Sequence, residues 1–342
     1  MKVLVVGGAG YIGSHTVYEL IRAGHEVVVL DNLSTGRARN VHSQARFYQG
    51  DILNRNDITT MLKAETAAST ASAASVQAAS TPAAPFDVAM HFAAKLIVPE
   101  SVEQPLAYYH NNVEGLRTLL EALVEYGVPR IVFSSTASVY GQPADGICRE
   151  GDPTNPISPY GETKLACEKM IHWVAAAHQM QYCILRYFNV AGADASLEIG
   201  LDKDQLTWLI PLIMQTALGQ REKLSIYGSD YDTPDGTCIR DYIHITDLAK
   251  AHILGAEYMM NTNQSLLANL GSGSGYSVRE VVEAALQLFD FPYEYGDRRP
   301  GDPDRLIADI SRAREVLGWQ PELDLRAMLE SDYNFRRQLL SK

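Results

Sequence analysis

The chain has 342 residues, and 29 Lys and Arg against 41 Asp and Glu give it a formal charge of −12. This acidic balance argues against a nucleic-acid partner, because a phosphate backbone requires a concentrated basic face. With 46% hydrophobic and 20% charged residues, the composition is that of an ordinary globular protein and excludes the disordered, collagen-like and disulfide-rich classes.

Cysteine and histidine spacing bears on location and metals. The four cysteines form neither a C-x-x-C pair nor a zinc-ligand pattern, and the nine histidines show no ligand spacing. We therefore predict no metal site and a reducing, cytoplasmic location. The first apolar run ends at Gly7, which is too early for a signal peptide or a spanning helix, so we expect no membrane association.

Strand and helix patterns alternate along the first half of the chain. Short β-branched runs predict strands, and apolar residues at helical spacing predict helices. In chain order the elements are strand 3–6, helix 12–23, strands 26–30 and 86–91, helix 105–126, strand 130–134, helix 160–177 and strand 182–185. This rhythm predicts an α/β protein with a Rossmann-type doubly wound parallel sheet.

After about residue 190 the alternation weakens, and Gly, Pro and Tyr cluster near 227–243 and 291–305. We predict a first domain over 1–185 and a smaller C-terminal α/β substrate domain over 186–342, with some segments returning to the first. Residues 64–84 contain ten Ala, four Ser and three Thr, so they cannot form a core. A flexible insertion or an Ala-rich helical extension would explain them; we favour the insertion because Ser, Thr and Pro82 oppose helix.

A glycine-rich turn connects the first strand to the first helix. Gly7, Gly10 and Gly13 would let a backbone approach a pyrophosphate and present helix N-terminal amides to it. Asp31 follows the second strand, where an acid can bind an adenosine ribose and repel a 2′-phosphate. The pair predicts a dinucleotide site with NAD rather than NADP. Asp51 and Ile52 would end the third strand and meet adenine, or Asp51 would cap a helix.

The sequence Tyr160-Gly-Glu-Thr-Lys164 places a phenol and an ammonium one helical turn apart. A neighbouring cation favours the phenolate, so Tyr160 is a candidate general base; a solvated surface pair is the alternative. The hydroxyls of Ser134, Ser135 and Thr136 end a strand at the carboxyl edge of the sheet, where open α/β folds bind ligands. They would bridge substrate and phenol, or cap the next element.

Nine motifs in order carry a resemblance to a known family, from residue 1 to about 332 apart from residues 64–84. They are GGAGYIGSHT from Gly7, LDNLSTG from Leu30, HFAA from His91, PESVEQPLAYYHNNV from Pro99, FSSTASVYG from Phe133, SPYGETK from Ser158, LRYFNVAGA from Leu185, YDTPDGTCIRDYIHITDLA from Tyr231 and RRPGDPDRL from Arg298. The chain resembles the extended short-chain dehydrogenase/reductase family, and within it the epimerases that act on UDP-hexoses.

The resemblance implies roles for individual residues. It implies NAD contacts by Gly7, Gly10, Tyr11, Ile12, Gly13, Asp31, Asn32, Asp51, Ile52, Phe92, Ala93, Ala94, Asn112, Tyr160, Lys164, Tyr187 and Phe188. It implies a catalytic trio of Thr136, Tyr160 and Lys164, and nucleotide-sugar contacts by Thr136, Asn189, Arg240, Arg299 and Asp302. The cofactor lysine that many members carry aligns with Leu96, beside Lys95, which leaves the role of Lys95 open.

The implied reaction is inversion at carbon 4 of UDP-glucose or UDP-galactose through a 4-keto sugar, with NAD retained. Leu306 aligns with the residue that limits room beside the sugar's 2-substituent, so we predict slower turnover of UDP-GlcNAc and UDP-GalNAc. Alternatives are a 4,6-dehydratase, which would need an Asp-Glu pair after Thr136, an epimerase of a different nucleotide sugar, and a non-catalytic NAD-sensing protein. The resemblance also implies a homodimer paired through the helices near 105–126 and 160–177, whose apolar faces could instead be buried within one chain.

Overall fold

The computed structural model describes residues 1–73, 84–203, 206–298 and 302–341. The strands are β1 (Lys2–Val6), β2 (Glu26–Asp31), β3 (Arg46–Gln49), β4 (Val88–His91), β5 (Arg130–Thr136), β6 (Ile147–Cys148), β7 (Gln181–Tyr187), β8 (Asn189–Ala191), β9 (Leu224–Tyr227), β10 (Ile239–Arg240), β11 (Tyr242–His244), β12 (Leu266–Leu270), β13 (Tyr276–Ser277), β14 (Tyr293–Gly296) and β15 (Arg305–Ala308).

The helices are α1 (Tyr11–Arg22), α2 (Arg55–Ala73), α3 (Val98–Glu103), α4 (Pro105–Tyr108), α5 (Gly115–Glu125), α6 (Pro159–His178), α7 (Leu209–Ala217), α8 (Ile245–Thr262), α9 (Val278–Leu286), α10 (Ser311–Leu317) and α11 (Leu325–Leu340). The helix predicted over 105–126 is interrupted, because a π-helical turn at Tyr109–Glu114 joins α4 to α5. Such turns insert an extra residue and often occur at functional sites.

Seven strands form one sheet in the order β12-β7-β5-β4-β1-β2-β3, which confirms the predicted doubly wound fold. The pairs β1–β2, β1–β4, β2–β3 and β4–β5 are parallel, so the carboxyl ends of these strands lie along one edge. The central strands β1 and β4 are almost wholly buried, as expected for a sheet covered by helices on both faces. The strand order reverses between β1 and β4, the place where such sheets bind ligands.

The chain divides into two compact units. Unit 1 comprises Met1–Val139, Pro156–Leu185 and His252–Leu267, and unit 2 comprises Tyr140–Asn155, Arg186–Ala251 and Ala268–Lys342. In unit 2, a four-stranded sheet has the order β13-β10-β15-β6, and α7, α9 and α11 pack around a second apolar core. The assignment of nucleotide-sugar binding to this half stays a prediction.

Residues 64–73 continue α2 as regular helix, so the flexible insertion predicted for 64–84 is wrong over this part. Two physical causes account for the helix. Alanine has the highest helix propensity, and the nucleation cost is already met by the turns that begin at Arg55. The Thr66 and Ser69 hydroxyls bond carbonyls one turn back, so they do not compete with the helix. The rest of the predicted insertion, 74–83, lies outside the described residues.

Glu65 on α2 carries a buried carboxylate that joins the helix to the sheet. It accepts hydrogen bonds from Arg46 Nε at 3.0 Å and from the Tyr48 hydroxyl at 2.9 Å, and it lies 2.9 Å from Lys2 Nζ. Burial alone would raise the pKa of Glu65, and the bonds from Arg46, Lys2 and Tyr48 outweigh that effect and lower it. The ionised form of Glu65 is therefore favoured more strongly in the folded chain than in the unfolded chain.

We expect Glu65→Gln to lower the free energy of unfolding by about 1–2 kcal/mol at neutral pH, because charged hydrogen bonds are lost while the half-exposed Arg46 remains solvated. A depressed pKa contributes stability above the unfolded value and loses it as the pH falls. The difference between wild type and variant should therefore narrow below about pH 4.3, the ordinary glutamate pKa. Urea unfolding at several pH values measures both effects; a gap that widens on acidification would contradict this account.

All four cysteines are buried free thiols. Among the described residues, no helix combines the length and apolarity needed to cross a membrane.

Candidate active site

The turn between β1 and α1 accepts only glycine at two positions. Gly7 has φ +83°, and a Cβ added there would lie 2.6 Å from the Ala93 nitrogen. A Cβ on Gly13 would overlap the carbonyl oxygen of Gly7. Gly10 is the N-cap of α1, and no side chain caps this end of the helix. A helix N-terminus of this kind, here formed by Tyr11 and Ile12, suits the phosphates of a ligand.

Asp31 closes this turn from the end of β2. Its two carboxylate oxygens accept bonds from the Ala9 and Leu33 amides at 2.9 and 2.8 Å, which fixes the side chain beside the glycine turn. Asn32 Nδ2 donates to Asp51 Oδ2 at 2.9 Å and links the ends of β2 and β3. Asp51 is not a helix cap, because α2 begins four residues later and its other oxygen accepts from Leu53 N.

The residues after β4 lie next to the same turn. The amides of Phe92 and Ala93 both donate to the Val6 carbonyl at the end of β1, at 2.8 and 3.2 Å, and Ala94 follows them. Asn112, in the π-helical turn, is buried and bonds the Lys95 backbone through both amide atoms. It also donates to Thr163 Oγ1 on α6 at 3.1 Å. Asn112 therefore holds the segment after β4 against α6.

Lys95 forms an ion pair with Glu100 at 3.0 Å and lies over the Tyr108 ring. The Lys95 ammonium is therefore paired within unit 1, and its contacts give no indication of a role in cofactor binding. Ile52 packs against Gly115, where an added Cβ would lie 2.5 Å from the Ile52 Cδ1 atom.

Thr136, Tyr160 and Lys164 lie together where β5 ends and α6 begins. Ser158 caps α6 by accepting from Gly161 N at 3.2 Å, and a Cβ on Gly161 would lie 2.6 Å from the Ser138 carbonyl, so the helix start packs closely on the end of β5. The Tyr160 phenol bonds the Thr136 hydroxyl. Lys164 is buried and donates to the Ser134 carbonyl at 2.8 Å, over the Phe133 ring. The surface-pair alternative is therefore wrong.

The prediction that the Lys164 ammonium favours the Tyr160 phenolate is wrong in this structure. Burial raises the pKa of Tyr160 to about 12, and only the bond with Thr136 acts in the opposite direction. The Lys164 ammonium, whose pKa burial lowers to about 8, is directed to the Ser134 carbonyl instead of the phenol. Helical spacing brought the two side chains onto one face but did not fix where the ammonium points.

In unit 2, Arg240 and Leu306 are neighbours. They pair in register on β10 and β15, so their side chains lie on one face of the small sheet. Arg240 is largely buried, one of its guanidinium nitrogens has no hydrogen-bond partner among the described residues, and Asp302 Oδ1 lies 3.7 Å from it. A buried donor without a partner indicates a site for an acceptor on a ligand. Arg299 lies outside the described residues.

Tyr187, Phe188 and Asn189 follow one another where β7 passes to β8. The Asn189 side chain donates to the Asp241 carbonyl at 2.8 Å, beside Arg240. Sequence reasoning gave no role to Tyr231, whose buried hydroxyl has no partner in the described part of the chain and whose ring stacks on Arg298 at 3.9 Å. Only the motif that begins at this tyrosine marked the position.

These features fit a dinucleotide in unit 1. Three features occur together where the strand order reverses. They are the glycine turn, which has no room for a Cβ at Gly7 or Gly13, the N-terminus of α1, and the fixed Asp31 carboxylate. Thr136 is followed by Ala137 and Ser138, so no carboxylate stands where a dehydratase would need its acid pair.

Comparisons with known proteins show which family the chain belongs to. A family model described as GDP-mannose 4,6 dehydratase matches residues 4–331. The chain is similar to a UDP-glucose 4-epimerase of Halalkalibacterium halodurans, with 47% identity over 99% of this chain and 96% of the relative. It is also similar to the crystal structure of a Brucella ovis UDP-glucose 4-epimerase in complex with NAD, with 41% identity, a TM-score of 0.89 and 97% of each chain covered.

A third comparison concerns a structure with a nucleotide. The crystal structure of a Bifidobacterium longum UDP-glucose 4-epimerase in complex with NAD+ and UDP is 34% identical, with a TM-score of 0.84, covering 99% of this chain and 98% of that one. The fold, the glycine turn and the near-complete coverage by these relatives all indicate the same family. The chain belongs to the UDP-glucose 4-epimerase family of the extended short-chain dehydrogenases/reductases.

Proposed function

We propose that this protein interconverts UDP-glucose and UDP-galactose by NAD-dependent inversion at carbon 4. The observation that carries the proposal is the placement of Thr136, Tyr160 and Lys164 at the carboxyl end of β5, two strands from the glycine turn in the same sheet. The relatives named UDP-glucose 4-epimerase support this choice of substrate.

In the proposed reaction Tyr160 exchanges a proton with the sugar's 4-hydroxyl, and Thr136 orients the phenol through their shared hydrogen bond. Lys164 holds a buried positive charge next to the site. When bound, NAD would supply the hydride acceptor for carbon 4 and a positive charge that favours the Tyr160 phenolate. The expected intermediate is a 4-keto sugar that accepts hydrogen on its other face.

We propose that unit 2 holds the UDP group. Arg240, with its unsatisfied buried nitrogen, suits a diphosphate through charge-assisted bonds, and Arg299 would add a second cation. Asn189 and Asp302 complete the proposed UDP contacts, whereas Tyr187 and Phe188 are proposed to contact NAD, as the family resemblance implies. Tight binding of UDP would leave the hexose free to turn over between the two half-reactions.

Turnover of UDP-galactose by purified protein tests the function directly. We expect UDP-glucose to form without added NAD, because the cofactor remains bound. Mass analysis of the same mixture should show no loss of water from the sugar. A 4-keto-6-deoxy product would favour a dehydratase, and absence of turnover in protein that retains NAD would favour the NAD-sensing alternative.

Leu306 is proposed to limit room beside the sugar's 2-substituent. We expect Leu306→Tyr to slow UDP-GlcNAc epimerisation roughly 10- to 100-fold through steric overlap, with little change for UDP-galactose. Leu306→Met, which conserves volume, is the matched control and should retain the N-acetyl rate. The test is to measure the epimerisation rates of UDP-GlcNAc and UDP-galactose in parallel. An unchanged UDP-GlcNAc rate in Leu306→Tyr would show that Leu306 does not have this role.

We also propose a homodimer and a cytoplasmic location. Trp173 on α6 and Leu106 on α4 are 71% and 83% exposed, and the partly buried Val124, Met170 and Val174 line a groove on α5 and α6 together with Arg55, Arg117, Glu121 and His178. A second copy of this face would cover these apolar side chains. Light scattering on purified protein measures the mass. The four free thiols are consistent with a reducing compartment.

A further inference from the structure

Glu168 extends the line of functional side chains on α6. Tyr160, Lys164 and Glu168 are spaced four residues apart, so they occupy successive turns of one helix face. Glu168 is only 6% exposed and Lys164 only 4%. Burying a carboxylate is costly unless it is hydrogen-bonded or paired with a charge, so its position requires a compensating interaction.

The compensating bond comes from β5. The Ser135 hydroxyl donates a hydrogen bond to Glu168 Oε1. Ser135 lies between Ser134, whose carbonyl accepts the Lys164 ammonium, and Thr136, which bonds the Tyr160 phenol. The bond from Ser135 to Glu168 therefore fixes the strand segment that both functional side chains of α6 contact.

The charges around Lys164 come from two elements. Cys167 and Glu168 lie beside it on α6, and both raise the pKa of Lys164 against a larger lowering by burial. Burial raises the pKa of Cys167 to about 12, so this thiol is neutral. His91 faces it from β4, and burial together with the nearby ammonium lowers the pKa of His91 to about 3, so that ring is neutral. Glu168 is thus the carboxylate among these neighbours that opposes the cost of burying the ammonium.

We propose that Glu168 is a positioning residue for the reaction: it holds the end of β5 in register with α6 and keeps Lys164 charged. This inference rests on the proposed function for the role of the charged Lys164. The proposed site therefore requires, besides Tyr160 and Lys164, a carboxylate one helical turn after the lysine.

The decisive variant is Glu168→Gln, which retains an oxygen acceptor for Ser135 and removes the charge. We expect the pH at which Lys164 loses its proton to fall by about one pH unit, the lower end of the usual effect of a close opposite charge. Carbon-13 NMR of lysine-labelled, NAD-free protein measures this titration, with Lys164→Arg identifying the resonance. The basic limb of the pH profile of kcat in the NAD-loaded enzyme should move to lower pH by the same amount.

Two further variants separate charge from geometry. Ser135→Ala removes the bond and keeps the carboxylate, so kcat should fall about 3- to 10-fold with the basic limb in place. Glu162→Gln removes an exposed carboxylate from the same helix and should leave the profile unchanged. The proposal is overturned if the pH at which Lys164 loses its proton is the same in Glu168→Gln as in wild type. It is also overturned if that pH falls equally in Glu162→Gln. Since that titration needs no turnover, an inactive wild type would count against the proposed function alone.

Discussion

Replacing Tyr160 by Phe is expected to reduce the rate of UDP-galactose epimerisation roughly 10²- to 10⁴-fold, the usual contribution of a positioned acid or base. The change removes the oxygen that exchanges a proton with the sugar and that bonds Thr136. The ring itself remains, and its edge-on contact with Tyr108, with centroids 6.5 Å apart, should preserve the start of α6. Turnover, bound NAD and thermal stability should be measured on the same preparation.

Tyr109→Phe is the matched control. Tyr109 is an exposed phenol on the π-helical turn, and its loss should leave the rate unchanged. Near-normal turnover in Tyr160→Phe, with bound NAD retained, would mean that another group handles the proton.

Replacing Gly13 by Ala is expected to weaken NAD binding roughly 10- to 100-fold, because the new methyl group overlaps the Gly7 carbonyl and must displace the turn. Gly10→Ala offers a graded comparison: its Cβ would lie 3.3 Å from the same oxygen, so a small shift would accommodate it. We expect affinity in the order wild type, Gly10→Ala, Gly13→Ala. Titration of NAD against cofactor-stripped protein gives the three dissociation constants.

Gly151→Ala serves as the control for glycine replacement in general. A Cβ at Gly151 has no atom within 4 Å among the described residues, and its φ is not in the left-handed region. It should bind NAD like wild type. Equal affinity in Gly13→Ala and Gly151→Ala would contradict the role of the turn as a phosphate cradle.

The fold was predictable because its central strands are short and apolar on both faces. The runs near Val3, Val27, Ala89 and Val132 became parallel neighbours, as the alternation of strands and helices required. The spacing of Gly7, Gly10 and Gly13 was also informative, because a Cβ at Gly7 or Gly13 would overlap the backbone of the turn.

Other features depend on three-dimensional context that spacing does not contain. Burial of Tyr160 outweighs any effect of Lys164 on its pKa, and burial follows from how α6 packs on β5. The anchoring of α2 to the sheet through Glu65 depends on Lys2 and Arg46, which are distant from it in sequence. The lateral pairing of Arg240 with Leu306 depends on a parallel register that no local pattern specifies.

In the proposed mechanism the hydrogen on carbon 4 remains within the enzyme, and Tyr160 exchanges only the hydroxyl proton. Turnover of UDP-galactose that carries deuterium at carbon 4, in ordinary water without added NAD, separates these two hydrogens. We expect UDP-glucose that keeps the full deuterium content at carbon 4. Loss of the label to solvent would rule out this mechanism.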